Sequence, residues 1–154
     1  MNAASDELQD VYRRRVLQHS REPHNRHYVE NADATATGFN PLCGDKISVY
    51  LELADESIKT AAFDGTGCAI CIASASMMTD ALTGQSISEG RVMVDAVRAM
   101  FENKAELKHS ALNHLDALEG VKNYPSRVKC ALLAWTTVEA ALNNNTEQVT
   151  TVNG

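Results

Sequence analysis

Residues 40–82 read NPLCGDKISVYLELADESIKTAAFDGTGCAICIASASMMTDAL, and the hydrophobic period changes within them. From Lys46 to Leu53 the apolar residues alternate. Ile47, Val49, Leu51 and Leu53 share one side, while Lys46, Ser48, Tyr50 and Glu52 share the other. A period of two marks a half-buried strand. The polar break at Ala54-Asp55-Glu56-Ser57 leads into Ile58–Phe63, a looser strand pattern, so the pair reads as an antiparallel hairpin. Beyond Gly65-Thr66-Gly67, residues Ala69 to Leu82 run without Gly or Pro and stop before Gly84, as a helix does.

Working outward, Thr35–Phe39 ahead of Asn40-Pro41 supplies a third strand. Residues Leu8–Gln18 form a helix with Leu8, Val11, Tyr12, Val16 and Leu17 near one stripe. Its Arg13-Arg14-Arg15 run is a solvated face or a docking patch for an acidic partner. His19–Asn31, with Pro23 and two Asn, reads as a loop. His19, His24 and His27 have ligand chemistry there, but a loop offers no regular face to align them. Ser86 and Glu89 have capping-box spacing ahead of a helix over Val92–Phe101. A shorter helix covers Leu112–Leu118, and Pro125-Ser126 open a last one over Arg127–Leu142. Residues 1–7 and 143–154 read as frayed tails. The expectation is a single α+β domain over residues 1–154, a small antiparallel three-stranded sheet packed against helices.

At 154 residues the chain is long enough to bury a core without staples. Its net charge of −6 argues against a nucleic-acid partner, which calls for a basic surface. No apolar run is long enough to span a bilayer, and the N-terminus lacks a signal-peptide pattern, so a cytoplasmic location is expected and no membrane.

In a reducing compartment the four cysteines, Cys43, Cys68, Cys71 and Cys130, point to metal binding or thiol chemistry rather than disulfides. Cys43 lies in a turn-rich loop, where Gly44 lets the chain bend and aim Cys43 and Asp45 at one point. Cys68 sits at a helix N-terminus and Cys130 in the first turn of the last helix, positions that favour thiolates; Arg127 and Lys129 add positive charge. Cys71 shares a stripe with Ala75, Met78 and Leu82, where a free cysteine acts as a small hydrophobe. A role as a further ligand or as a redox partner of Cys68 is the alternative. Three thiolates and the Asp45 carboxylate complete a tetrahedral zinc shell if their loops converge. If they do not, Asp45 is an ordinary turn residue. One hard oxygen among soft sulfurs suits an exchangeable shell.

The blocks Asn40-Pro41-x-Cys43-Gly44-Asp45, Gly65-x-Gly67-Cys68-x-Ile70-x-x-Ala73-Ser74-Ala75-Ser76-Met77-Met78 and Arg127-x-Lys129-Cys130-Ala131 resemble the signatures of the SufU family, within the IscU/NifU-like iron–sulfur assembly superfamily. Tyr12-Arg13-x-x-Val16 and Pro23-x-Asn25-Arg26 extend the resemblance. It implies the IscU-like fold and a zinc ion held by Cys43, Asp45, Cys68 and Cys130. It also implies a sulfurtransferase that accepts persulfide sulfur from a SufS-type cysteine desulfurase, with Cys43 taking the sulfur and Asp45 an exchangeable ligand, for downstream iron–sulfur assembly. Lys129, where scaffolds of the IscU type have His, and the long spacing from Cys68 to Cys130 favour SufU. The alternative is a scaffold that builds a [2Fe–2S] cluster on the same ligands. Cys71 departs from the small residue that the family generally has there.

Overall fold

The computed structural model describes residues 3–102, 106–107, 109–144 and 149–150. The helix α1 spans Ala3–Arg21, followed by the strands β1 (Ala34–Asn40), β2 (Asp45–Ala54) and β3 (Ser57–Thr66). Helices α2 (Ala69–Leu82) and α3 (Ile87–Glu102) come next, then a 3₁₀ segment over Ser110–Asn123 and α4 (Pro125–Leu142). The short strand β4 is Val149–Thr150. Sheet order is β3-β2-β1-β4, with β2 antiparallel to both β1 and β3, and β4 parallel to β1. The fold is α+β, as expected, with an antiparallel three-stranded core.

Alternation along β2 buries Asp45, Ile47, Val49 and Leu51 on the face toward the helices. Leu53 drops out of this series because a register shift at Glu52/Leu53 turns the strand, and Leu53 is only partly buried. β3 carries three consecutive buried residues, Ala61, Ala62 and Phe63, which explains its loose sequence alternation. Its outer edge is covered by the loop after α1, where the Phe63 N–H donates to the Asn25 carbonyl at 3.0 Å.

The central helix α2 is buried nearly all round, including Ser74, Ser76 and Thr79 as well as the expected Cys71, Ala75, Met78 and Leu82. Small Ala and Ser side chains let α1 and α4 approach it closely. The buried hydroxyl of Ser74 donates to the Ala131 carbonyl at 2.6 Å and accepts from the indole N–H of Trp135 at 3.1 Å. These bonds satisfy the polar groups that the contact buries. α4 also lies against β1. A Cβ on Gly38 would come within 2.0 Å of Thr137 Oγ1, so glycine is what lets helix and strand pack here. This packing fixes α4, and with it Cys130, over the end of the β1–β2 hairpin.

Several boundaries differ from the sequence expectation. α1 begins at Ala3 and continues through His19 to Arg21. The helix after Ser86 starts at Ile87, and Ser86 Oγ accepts from the Glu89 N–H at 3.0 Å. The reciprocal arm of the capping box is replaced, since the Glu89 carboxylate meets His109. The short helix expected at Leu112–Leu118 is the middle of a longer 3₁₀ segment kinked at Leu112. Val149–Thr150, read as part of a frayed tail, pairs with Gly38 and Phe39; the rest of 145–154 lies outside the described residues. No helix among the described residues is long and apolar enough to cross a membrane.

Candidate metal centre

The β1–β2 hairpin builds the centre. Asn40 and Asp45 are the last register pair before the loop Pro41–Gly44, and the Cys43 N–H returns to the Asn40 carbonyl at 3.3 Å. Gly44, with φ +71°, makes the bend that allows Cys43 and Asp45 to converge. Asp45 ends the buried face of β2, at 0% exposure, a place that Ile47, Val49 and Leu51 would make apolar. A carboxylate held there needs partners to offset its desolvation. One partner is the N-terminus of α2: the Cys68 N–H donates to Asp45 Oδ1 at 2.9 Å. A second is the buried Asn40 amide, which donates to Asp45 Oδ2 at 3.2 Å.

α4 supplies the third wall. Cys130 Sγ lies 3.3 Å from Cys43 Sγ and accepts from Asn40 Nδ2 at 3.5 Å. Ligand atoms of Cys43, Asp45 and Cys130 all lie within 4.8 Å of one another. Cys68, the N-cap residue of α2, stands outside this tight trio and reaches the centre through its backbone N–H to Asp45. Of the four residues singled out in the sequence, Cys43, Asp45 and Cys130 therefore meet at one end of the sheet, with the backbone of Cys68 beside them. Cys43 and Cys68 are exposed, while Asp45 and Cys130 are buried.

One expectation needs correction. α4 begins at Pro125, so Cys130 falls in its second turn and not at the N-terminal end. The helix N-terminus therefore does not acidify it. Burial, followed by contact with Cys43, Asp45 and Cys68, pushes the Cys130 thiol far above its ordinary range in the metal-free protein. Arg127 is stacked over Tyr124, its guanidinium carbon 5.0 Å from the ring centroid. Sequence reasoning missed Asn40 as a functional residue. Its place beside Pro41 in the first cysteine block was the available signal, but its amide contacts depend on the burial of the hairpin end.

Cys71 is fully buried beneath the centre and lies outside the ligand trio. Desolvation, reinforced by the negative charges of Asp45, Cys68 and Cys43, holds its thiol protonated. A Cβ on Gly67 would lie 2.9 Å from both Asp45 Oδ1 and Cys71 Sγ. The second glycine of the Gly65-Thr66-Gly67 loop thus admits the carboxylate to the helix end. The donor chemistry fits a cation: thiols and a carboxylate with buried members become mutually repulsive anions on ionisation, and a dication offsets that repulsion. Sulfur donors with one oxygen suit tetrahedral zinc.

An α+β domain with thiols and a carboxylate gathered at the end of its sheet carries the donor set of a candidate metal centre. The chain belongs to the NifU-like N-terminal domain family, whose model matches residues 11–131. It is 34% identical over 142 residues to the iron–sulfur cluster assembly scaffold protein IscU of Streptococcus pyogenes serotype M1, covering 92% of this chain and 89% of that protein. It is 36% identical over 132 residues to the zinc-dependent sulfurtransferase SufU of Bacillus subtilis, covering 86% and 89% of the two chains. Among solved structures, the N-terminal NifU-like protein of Brucella abortus superposes with a TM-score of 0.82 at 25% identity, covering 90% of this chain and 96% of that one. These relatives place the chain among iron–sulfur cluster assembly proteins of the IscU/SufU type.

Proposed function

We propose that this chain is a zinc-dependent sulfurtransferase that takes persulfide sulfur from a SufS-type cysteine desulfurase for iron–sulfur cluster biosynthesis. The observation that carries the reading is the split in the centre. One thiol, Cys43, is exposed on a loop tip, 3.3 Å from the buried thiol of Cys130 and beside the buried Asp45.

Zinc bound by Cys43, Asp45, Cys68 and Cys130 would hold their thiols as thiolates and protect them from oxidation. Cys43 can leave toward a docked protein without opening the core, because it is exposed and sits on the turn closed by Gly44. Once released, its thiolate attacks the terminal sulfur of the desulfurase persulfide. A new sulfur–sulfur bond forms at Cys43 as the old one breaks, and the desulfurase cysteine departs as a thiolate. Asn40 and the Cys68 N–H keep Asp45 in place throughout. Downstream machinery then receives the sulfur.

The test adds the chain to its cognate desulfurase and follows cysteine turnover. Strong stimulation that is abolished by Cys43→Ala, with the fold retained, supports the role; undiminished stimulation by Cys43→Ala refutes it. Relatives named as scaffolds favour a second reading, assembly of a [2Fe–2S] cluster on the same residues. One zinc per aerobically purified chain, with no visible-region absorbance, decides against that.

A further inference from the structure

A second group of potential ligands lies at the opposite end of α2. His19, His24 and Asp80 each offer a ligand atom within 4.8 Å of the other two. They come from three elements: the last turn of α1, the loop after it, and the last turn of α2. In the sequence these histidines read as loop residues with no common face. α1 in fact extends through His19, which is buried, and the loop folds His24 back over α2. His27 is not brought in, and its ring meets the carbonyl of Tyr28.

The arrangement is held from behind. His19 Nδ1 lies 2.7 Å from Ser76 Oγ, and the same oxygen accepts the His24 N–H at 2.8 Å. In the tautomer that donates Nδ1–H to Ser76, His19 keeps Nε2 as a lone-pair donor. A hydrogen bond to the far ring nitrogen is how metal-binding histidines are oriented. His24 Nδ1 lies 2.5 Å from Asp80 Oδ2, and the two rings stand 4.6 Å apart between centroids. Asn25, in the left-handed region at φ 57°, donates to Asp80 Oδ1 at 3.2 Å and to Thr79 Oγ1 at 3.0 Å. Backbone and carboxylate are therefore both fixed before any ion arrives. A cavity of about 290 Å³ lies against His19 and Asp80, with His114 on its wall.

We propose that His19, His24 and Asp80 form a second metal site, for a divalent transition-metal ion held by nitrogen and oxygen and independent of the cysteine centre. Two imidazoles and one carboxylate are the donor types that zinc, cobalt and nickel accept, and an oxygen-only cation such as magnesium or calcium is not suited to them. The cavity beside His19 and Asp80 would leave room for a further ligand on such an ion. Cys68 and Asp80 are twelve residues apart in sequence, which puts the two centres about 18 Å apart along α2. An ion here would clamp α1, the loop and α2 together.

The test uses full-length protein first loaded with zinc at its cysteines, then titrated with cobalt(II). The expected result is one further metal per chain, with ligand-field absorption and no sulfur-to-cobalt charge-transfer band. His24→Ala and Asp80→Asn, at two partly exposed positions that leave the core intact, should each abolish that equivalent while the zinc content stays at one. Three results would overturn the proposal. These are no cobalt beyond the zinc, cobalt binding that survives both substitutions, or cobalt with charge-transfer bands that displaces zinc. The first would leave His24 and Asp80 as a simple ion pair.

Discussion

Asn40→Ala removes the group that links Asp45 and Cys130, the two buried residues proposed as ligands, without itself being one. Its amide donates to Asp45 Oδ2 at 3.2 Å and to Cys130 Sγ at 3.5 Å, and its Oδ1 accepts the Leu42 N–H at 3.3 Å. A hydrogen bond to a charged acceptor contributes about 1.5–3 kcal/mol and a neutral one about 1 kcal/mol. The loss in the metal-free protein should therefore be about 2–4 kcal/mol, since the side chain is wholly buried and water does not replace it. With a urea dependence of about 2 kcal/mol per molar, the unfolding midpoint falls by roughly 1–2 M. Zinc affinity should fall as well, by about 10–100-fold, the usual effect of losing a group that orients a ligand. Urea unfolding of the chelator-treated protein and zinc competition against a chromophoric chelator measure the two effects. A midpoint within about 0.3 M of wild type, together with unchanged zinc affinity, would refute the role given to Asn40.

Gly67→Ala puts a Cβ 2.9 Å from Asp45 Oδ1 and Cys71 Sγ, so it should cost about 1–3 kcal/mol in urea unfolding and weaken zinc retention against a chelator. Cys71 predicts a pH effect. Its thiol has an ordinary pKa of 9.0, reached in the unfolded chain, while burial holds the folded thiol protonated well beyond that. Above pH 9 the unfolded state releases a proton that the native state retains, so stability of the metal-free protein is full below that pH and falls as pH rises. Cys71→Ala should flatten this decline without changing zinc stoichiometry, and an unaltered slope would count against the assignment. Leu42, 61% exposed beside Cys43, is placed to meet an approaching protein. Leu42→Asp should leave zinc content intact yet sharply reduce desulfurase stimulation, and full stimulation would remove Leu42 from the docking surface.

The hairpin and the central helix were legible, because period-two alternation, a glycine loop and an uninterrupted apolar run are local signals; whether the cysteine loops converge was open in those signals, and the structure brings Cys43, Asp45 and Cys130 together. Cys71 was legible for the same reason, through its spacing to Ala75, Met78 and Leu82. What was not legible depends on tertiary packing. Asp45 looks like a turn residue in sequence, yet it continues the buried face of β2 and needs Asn40 and the end of α2 to be tolerated there. A helix starting at Arg127 puts Cys130 in its first turn; with Pro125 as the first helical residue, burial governs its thiol. His19 and His24 meet only because the loop turns at Asn25 and docks on Ser76, Thr79 and Asp80. The pairing of Val149–Thr150 with β1 rests on two residues of a polar tail, too few to show a period.

Persulfide mapping on the zinc-loaded chain, after incubation with the cognate desulfurase and cysteine, tests the central proposal most directly. Mass spectrometry should find one added sulfur, on Cys43, and none in Cys43→Ser, while the solution stays colourless. Sulfur on another cysteine would contradict the account, as would an unmodified chain that instead develops an iron–sulfur chromophore when iron is supplied.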